Sequence, residues 1–450
     1  MTATSLNLRP VLYDELKCDI LHDSQIKEYN DTGVLVVPNV LTEYQTDLVL
    51  KALVGCVNKM LFQNEEFKLK VDDYSTFDVL MNLNLRKEKL NNPEIMYNPD
   101  KKFRKTLEIG SAGMCNIFFL PEGLLMRTKK NIYNIYRQLL GSEYLHMSLE
   151  RFGIKGKGAN EMPMHMDINL FEENKFKNRI QGFIVLEIDN EVNDSTPENS
   201  GTLGVIKHFH KYLPLAKIFF DSETSPDAQY SLSPTKNTFH LFDTPKYKFL
   251  LHKLPKFNEY IKVYTAVSHK KDCSLFDKSI INHAQEVYKK HKIQVPSKCI
   301  TLKLEAVKCK PGDLVLWDNT IPHRNERTRK IVKPRIVMYL QLNPVSEDGK
   351  PLTKTSRYES VAARKEMFKN WTATVYNTSE NNTKKHENKL ETKLIQEFYT
   401  KNAYHSPSKK NITQNKFYGH IKVTNPLTKV LLGFDPCTME EFTWKDYKAL

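Results

Sequence analysis

Two histidines and a carboxylate are the residues of this chain whose types and spacing could do chemistry. His165 and Asp167 stand two apart in the segment MPMHMDINL (162–170), and His323 follows the run GDLVLWDNTIP (312–322). On an extended strand side chains alternate faces, so His165 and Asp167 point one way while Met164 and Met166 point the other. One strand can thus offer two ligands to a single ion. The third must come from a distant segment, and His323, behind a Gly-Asp-Leu-Val-Leu-Trp strand pattern, is the candidate. Three protein ligands on one side of an ion leave positions open for a chelating co-substrate and for dioxygen, which is what a non-haem Fe(II) centre requires. A structural zinc site closed by four cysteines or histidines would serve no such purpose.

A His-x-Asp pair alone recurs by chance in many chains, so a second feature has to support it. Arg335, twelve residues after His323, opens the apolar run RIVMYLQL (335–342), whose alternation puts Arg335, Val337, Tyr339 and Gln341 on one face. A guanidinium there could hold the far carboxylate of 2-oxoglutarate through two parallel charge-assisted hydrogen bonds. The plainer reading is a strand-end arginine in a surface ion pair. Gln181, on the strand QGFIVLEI (181–188), could hydrogen-bond the same co-substrate. Trp317 and Tyr339 are candidates to line a pocket, although aromatic residues in strands are more often core. His208 and His210 form a second His-x-His, but no acidic partner lies close in sequence, which favours a structural or substrate-facing role over a metal site.

Four segments together resemble the phytanoyl-CoA dioxygenase family of Fe(II)/2-oxoglutarate oxygenases. These are the opening helix, strand and turn (25–42), the His165/Asp167 segment, the strand at 181–188 with the Gly-containing turn and strand at 199–211, and residues 312–343 with the distal histidine and the arginine. The resemblance implies a double-stranded β-helix of the jelly-roll or cupin type, mainly β with supporting helices (α+β). It implies His165, Asp167 and His323 as ligands of Fe(II), and Arg335 as the anchor of 2-oxoglutarate. Two residues beyond the distal histidine the family often carries a hydroxyl; here Asn325 stands there, and its amide can still donate to a carboxylate. Where the family usually reads Pro-Gly-Ser-His, this chain reads Ile206 to His210 with bulky side chains. Related halogenases replace the metal-binding carboxylate with a small residue, so Asp167 argues against halogenation. The implied reaction is hydroxylation of a small-molecule or acyl-type substrate with O2 as co-substrate and release of succinate and CO2. The alternatives are a catalytically silent barrel kept as a binding or structural protein, and a protein or nucleic-acid hydroxylase with the same centre.

Composition sets limits around this reading. A chain of 450 residues with 40% apolar content can bury a sizeable core. The 7 cysteines are odd in number, scattered, and form no Cys-x-x-Cys, which argues against a disulfide framework or zinc ribbon and for a reducing compartment. No basic start leads into an apolar stretch, and no apolar run reaches the roughly 20 residues needed to span a bilayer. The expectation is a soluble intracellular protein, most simply cytoplasmic, with no membrane span. The formal charge of +14 would suit a nucleic-acid partner or an anionic metabolite, yet the lysines are dispersed and no nucleic-acid-reading motif accompanies them. Solvated lysine faces are the favoured explanation. Arg324 to Lys330 also fails to match the arginine pattern of nucleic-acid dealkylases.

The elements that must position these residues follow from periodicity. Residues 1–24 read as an arm and 25–345 as the oxygenase domain, with an insertion within about 212–310 that either covers the site or decorates the periphery. Residues 346–450 read as an extension packed on the barrel. Thr42 to Gln45 forms a capping box ahead of Leu48, Val49, Leu53, Cys56, Val57 and Met60 at helical spacing. A helix is expected from Leu124 to Leu140, a strand over 145–152, a loop at Gly153, Gly156 and Gly158, and a helix from Phe276 to His291. Asp189 to Ser200 reads as a polar turn. A short helix at 393–399 and a closing segment at 425–436 complete the reading.

Overall fold

A computed structural model describes residues 17–61, 68–77, 114–115, 120–148, 151–159, 161–162, 164–166, 180–189, 201–223, 243–244, 247–328 and 333–345, together with Leu427 and Leu431. Expectations that fall on Asp167, on most of the 189–200 turn, on the 393–399 helix and on most of 425–436 lie outside the described residues. Leu427 and Leu431 themselves are buried in the core.

In chain order the described helices are α1 (Asp23–Thr32), α2 (Glu43–Leu61), α3 (Pro121–Arg127), α4 (Lys130–Leu140), α5 (Leu213–Glu223), α6 (Phe249–Ser268) and α7 (Lys278–His291). The described strands are β1 (Val34–Val37), β2 (Met114–Cys115), β3 (Leu145–Met147), β4 (Phe152–Lys155), β5 (Ile180–Glu187), β6 (Leu203–Ile206), β7 (Asp243–Thr244), β8 (Tyr247–Lys248), β9 (Leu304–Ala306), β10 (Leu314–Asp318), β11 (His323–Asn325), β12 (Arg335–Leu340) and β13 (Leu342–Pro344). A six-stranded sheet runs β1-β10-β5-β12-β4-β2 and a three-stranded sheet runs β11-β6-β9; every strand pairing is antiparallel. The architecture is therefore mixed helix and antiparallel sheet.

The larger sheet is apolar on both sides, and each side belongs to a different core. Ile154, Ile184, Leu314, Leu316, Ile336, Met338 and Leu340 turn outward into one cluster with α2 and α4. The alternate residues Phe183, Val185, Val315, Trp317 and Val337 turn inward and share a second cluster with Leu203, Val205 and Ile206 of β6 and with Met164 and Met166. Period-2 alternation thus divides every central strand between a helix-packed face and a face toward the smaller sheet.

The sequence-level elements hold in part. The Thr42 box forms as expected: Gln45 N–H donates to Thr42 Oγ1 at 3.3 Å and Thr42 N–H donates to Gln45 Oε1 at 3.1 Å. In α2, Val49, Leu53, Cys56 and Val57 are fully buried, whereas Leu48 sits at the surface. The expected 124–140 helix is two helices. Pro121 starts α3, and Thr128 ends it by turning its hydroxyl back on Leu124 O at 3.0 Å; extended Lys129 then starts α4. The expected 145–152 strand also divides, with β3 pairing β13 and β4 pairing β12. Gly153, expected in a loop, lies inside β4, where a Cβ would crowd Val337 and Tyr339.

The 212–310 region holds α7, which begins at Lys278 because the Asp277 carboxylate accepts hydrogen bonds from the Ser279 and Ile280 amides. It also holds α5 and α6, which sequence periodicity did not reveal. Phe219, Phe220, Phe257, Tyr260 and Tyr264 of these helices join the second cluster, so the region packs directly on β6 and on Met164 and Met166.

Candidate metal and anion site

His165 and His323 come from segments far apart in the chain and meet as an isolated antiparallel bridge. Each backbone amide donates to the other's carbonyl, at 3.0 Å from His165 and 2.8 Å from His323. The exchange places the two Cβ atoms on one side, and the rings stand 4.5 Å apart between centres. Two imidazoles binding one ion at right angles, each at roughly 2.1 Å, need ring centres about 4 to 5 Å apart. His323 Nδ1 lies 3.0 Å from the Ile321 carbonyl. A carbonyl can only accept, so Nδ1 carries the proton and Nε2 is the basic nitrogen, the tautomer a metal ligand needs. Both histidines are buried. Among the described residues no group of three or more His, Cys, Asp or Glu side chains could hold a metal; Asp167, two residues on from His165, is not among them.

Arg335 is 1% exposed, and its Nε, Nη1 and Nη2 are all buried without a hydrogen-bond partner among the described residues. The guanidinium lies over the Phe183 ring at 4.8 Å. A desolvated cation–π contact returns about 2 kcal/mol, against several kcal/mol for removing an ion from water. The surface ion pair considered for Arg335 is excluded by its burial.

Lys155 stands directly across the ladder from Arg335, on the same face. It is fully buried, and its Nζ donates to the Glu326 carbonyl at 2.8 Å. Burial, then the charge of Arg335, push its amine down to about 7; Glu326 opposes this and Arg324 adds to it. The Glu326 carboxylate, itself fully buried, accepts from Arg324 Nε at 2.9 Å and Nη2 at 3.1 Å. Gly204, which pairs with Arg324 across β6 and β11, leaves room for it: a Cβ there would collide with Glu326 Oε1.

The remaining candidates fall on the same inner layer. Trp317 packs on His323 at 5.2 Å between ring centres and on Phe183 at 5.7 Å. Tyr339 meets Phe183 edge-on at 6.0 Å, and its hydroxyl accepts from the Asn325 amide at 3.3 Å. Asn325 also approaches Met162 Sδ at 3.3 Å. Gln181 is half-buried and pairs in register with Trp317, which places both side chains on one face. Phe183, which links Trp317, Tyr339 and Arg335, was missed in sequence, although its position two residues from Gln181 predicts the shared face. Lys155 was missed because three nearby glycines read as a loop.

His208 and His210 are structural. Their rings approach carbonyls at the end of α1, with His208 Nδ1 at 2.8 Å from Asp31 O and His210 Nε2 at 3.1 Å from Asn30 O. Lys211 pairs with the Asp31 carboxylate. His208 adopts φ 64°, the left-handed turn that this sequence supplies without the family's glycine. The histidine rings meet carbonyls at a helix C-terminus, and Lys211 supplies positive charge there.

No protein-family model matches the chain, so the phytanoyl-CoA dioxygenase resemblance is not confirmed, and no curated protein matches it. Among solved structures, the chain is similar to EctD from S. alaskensis with 2-oxoglutarate and 5-hydroxyectoine, at 14% identity and a TM-score of 0.35 over 73% of this chain and 78% of that one. It is also similar to the non-haem α-ketoglutarate-dependent carbocyclase SnoK from nogalamycin biosynthesis, at 11% identity and a TM-score of 0.32 over 72% and 83%. HygX from Streptomyces hygroscopicus, with nickel and 2-oxoglutarate bound, matches at 10% identity and a TM-score of 0.33 over 72% and 88%. Among the described residues no helix is long and apolar enough to cross a membrane.

Proposed function

We propose that this chain is an Fe(II)- and 2-oxoglutarate-dependent dioxygenase that hydroxylates a small-molecule or acyl-type substrate, on a double-stranded β-helix formed by the two facing sheets. The observation that carries the reading is the buried Arg335 guanidinium, without a hydrogen-bond partner among the described residues, over Phe183, whose ring packs on Trp317 and through it on His323, the bridge partner of His165. An ion site and a carboxylate receptor on one buried layer suit a co-substrate that chelates at one end and carries a carboxylate at the other.

In this reading His165, Asp167 and His323 hold the iron. Met164 and Met166 are buried in the cluster that also takes in α5 and α6, and continued alternation would put Asp167 opposite them, on the side of His165. When bound, iron supplies the dioxygen chemistry that couples decarboxylation of 2-oxoglutarate to substrate hydroxylation. The chain's own residues hold and shield. Arg335 fixes the far carboxylate, Phe183 and Trp317 exclude water, and Ile321 O sets the His323 tautomer. Asn325 is held by the Tyr339 hydroxyl beside this group, and Gln181 offers an amide from the same face.

Metal analysis after anaerobic reconstitution tests the centre. Wild type should retain one equivalent of Fe(II), and His165→Ala, Asp167→Ala and His323→Ala should retain little. Reconstituted wild type exposed to oxygen should convert 2-oxoglutarate slowly to succinate even without a substrate, and Arg335→Ala should not. A folded wild type that retains no iron would leave a silent barrel as the better account.

A further inference from the structure

We propose that Lys155 is the second cation of the Arg335 anion site, and that a carboxylate docking on Arg335 is accompanied by uptake of a proton on the Lys155 amine; this rests on the reading of Arg335 as a carboxylate receptor. Lys155 and Arg335 are paired residues of β4 and β12, so their side chains leave the same face of the sheet, and both are at most 1% exposed. Among the described residues, the other charged groups acting on the amine come from β11 and the residue after it. Arg324 adds positive charge, and the Glu326 carboxylate is already held at two points by Arg324. Among the described residues, the Glu326 carboxylate thus lies with Arg324, Lys155 and Arg335. Cys309 also senses Arg335, but burial first of all raises its thiol to about 11, so it stays protonated at neutral pH.

Without an anion, the protonated amine is disfavoured by burial and by the guanidinium opposite, and near pH 7 Lys155 is about half neutral. A carboxylate on Arg335 offsets that guanidinium's charge and adds its own attraction, so the amine becomes more basic. The step is –NH2 + H⁺ → –NH3⁺; the proton comes from solvent, the carboxylate stays ionised, and no bond of the ligand changes. Below about pH 7 the amine is protonated in both states, and affinity does not depend on it. Above that, until the amine of the complex itself titrates, binding consumes up to one proton and the Kd rises toward tenfold per pH unit. The device favours a dicarboxylate over a neutral analogue and makes co-substrate affinity fall as pH rises.

Anaerobic calorimetry of 2-oxoglutarate binding to the Fe(II)-loaded protein tests this, from about pH 6.5 to about pH 9 in buffers of differing ionisation enthalpy. Wild type should take up close to one proton per ligand at about pH 8, with a Kd that weakens steeply with pH above 7. Lys155→Arg, whose charge is permanent, should bind without proton uptake and keep the tight low-pH affinity throughout. Lys155→Met should also take up none, with a pH-independent Kd near the weak high-pH value. Should neither variant fold, the wild-type proton count decides alone. A pH-independent wild-type Kd without proton uptake, with binding still lost in Arg335→Ala, would overturn the role of Lys155 and leave the anion site standing. Retention of the full wild-type pH dependence in Lys155→Met would overturn it too. Absence of binding in wild type, or undiminished binding in Arg335→Ala, would instead remove the carboxylate receptor itself.

Discussion

The two faces of the six-stranded sheet are built from the same strands and obey opposite rules. Outward, Ile154, Ile184, Leu316, Ile336 and Met338 meet the helices in an apolar layer, where each large side chain contributes about 1.5–3 kcal/mol by leaving water. Inward, among Phe183, Val185, Trp317 and Val337, the same strands also bury Arg335 and Lys155, and the Glu326 carboxylate engaged by Arg324 is buried with them. Stability alone would place leucine or valine at those inward positions. Buried polar groups that are not balanced among the described residues are a cost to stability, and they mark the inward face as the place to look for function.

The largest contrast should come from charging the outer face and neutralising the inner one. Ile336→Asp should cost more than about 4 kcal/mol and leave little folded protein, because an unpaired carboxylate would face the helix layer. Arg335→Met, one residue away, should leave the unfolding free energy unchanged or raise it, by up to about 4 kcal/mol, while abolishing 2-oxoglutarate binding. Comparable loss of stability in both variants would break the distinction between the faces.

Glu326→Gln sharpens the picture of the inner face. Removing the buried charge that Arg324 engages there should destabilise by about 3–5 kcal/mol in urea unfolding. A near-neutral outcome would mean that solvent already reaches this cluster.

Lys155 should also leave a signature in the pH dependence of stability. Its amine titrates at about 7 in the folded chain and near 10.5 when unfolded, so between these values the unfolded chain binds more protons and folding gains as pH rises. The melting temperature of wild type should therefore climb relative to Lys155→Met from pH 7 toward pH 9, with the two profiles parallel below pH 7. The smallest effect is expected far from the inner face. Thr42→Ala removes the capping hydroxyl of α2 and should cost about 1 kcal/mol while leaving ligand binding untouched.

How far this arrangement was legible in sequence varies residue by residue. His165, His323 and Arg335 stand out as candidates because the His-x-Asp and His-to-Arg spacings are short and strand alternation sets their faces. The meeting of the two histidines, by contrast, is a long-range pairing that no local pattern encodes. The Thr42 box was readable because both its partners lie within one turn. Lys155 was not, since Gly153, Gly156 and Gly158 suggested a loop, whereas Gly153 is there to admit Val337 and Tyr339 across the ladder. Helices α5 and α6 escaped for a related reason: α6 contains Pro255 and buries residues around much of its circumference, so no clean apolar stripe marks it. The break between α3 and α4 turns on one threonine hydroxyl folding back on its own helix, a choice that apolar periodicity does not report.

The central claim is that one buried layer holds both an iron site and a carboxylate receptor. Anaerobic titration of the protein with Fe(II) and then 2-oxoglutarate, followed by visible absorbance, examines both halves at once. The account predicts a weak metal-to-ligand charge-transfer band in the green for wild type, lost in His165→Ala and reached only at much higher 2-oxoglutarate in Arg335→Ala. A folded, iron-loaded wild type without the band, or a band whose 2-oxoglutarate dependence is unaltered by Arg335→Ala, would contradict it.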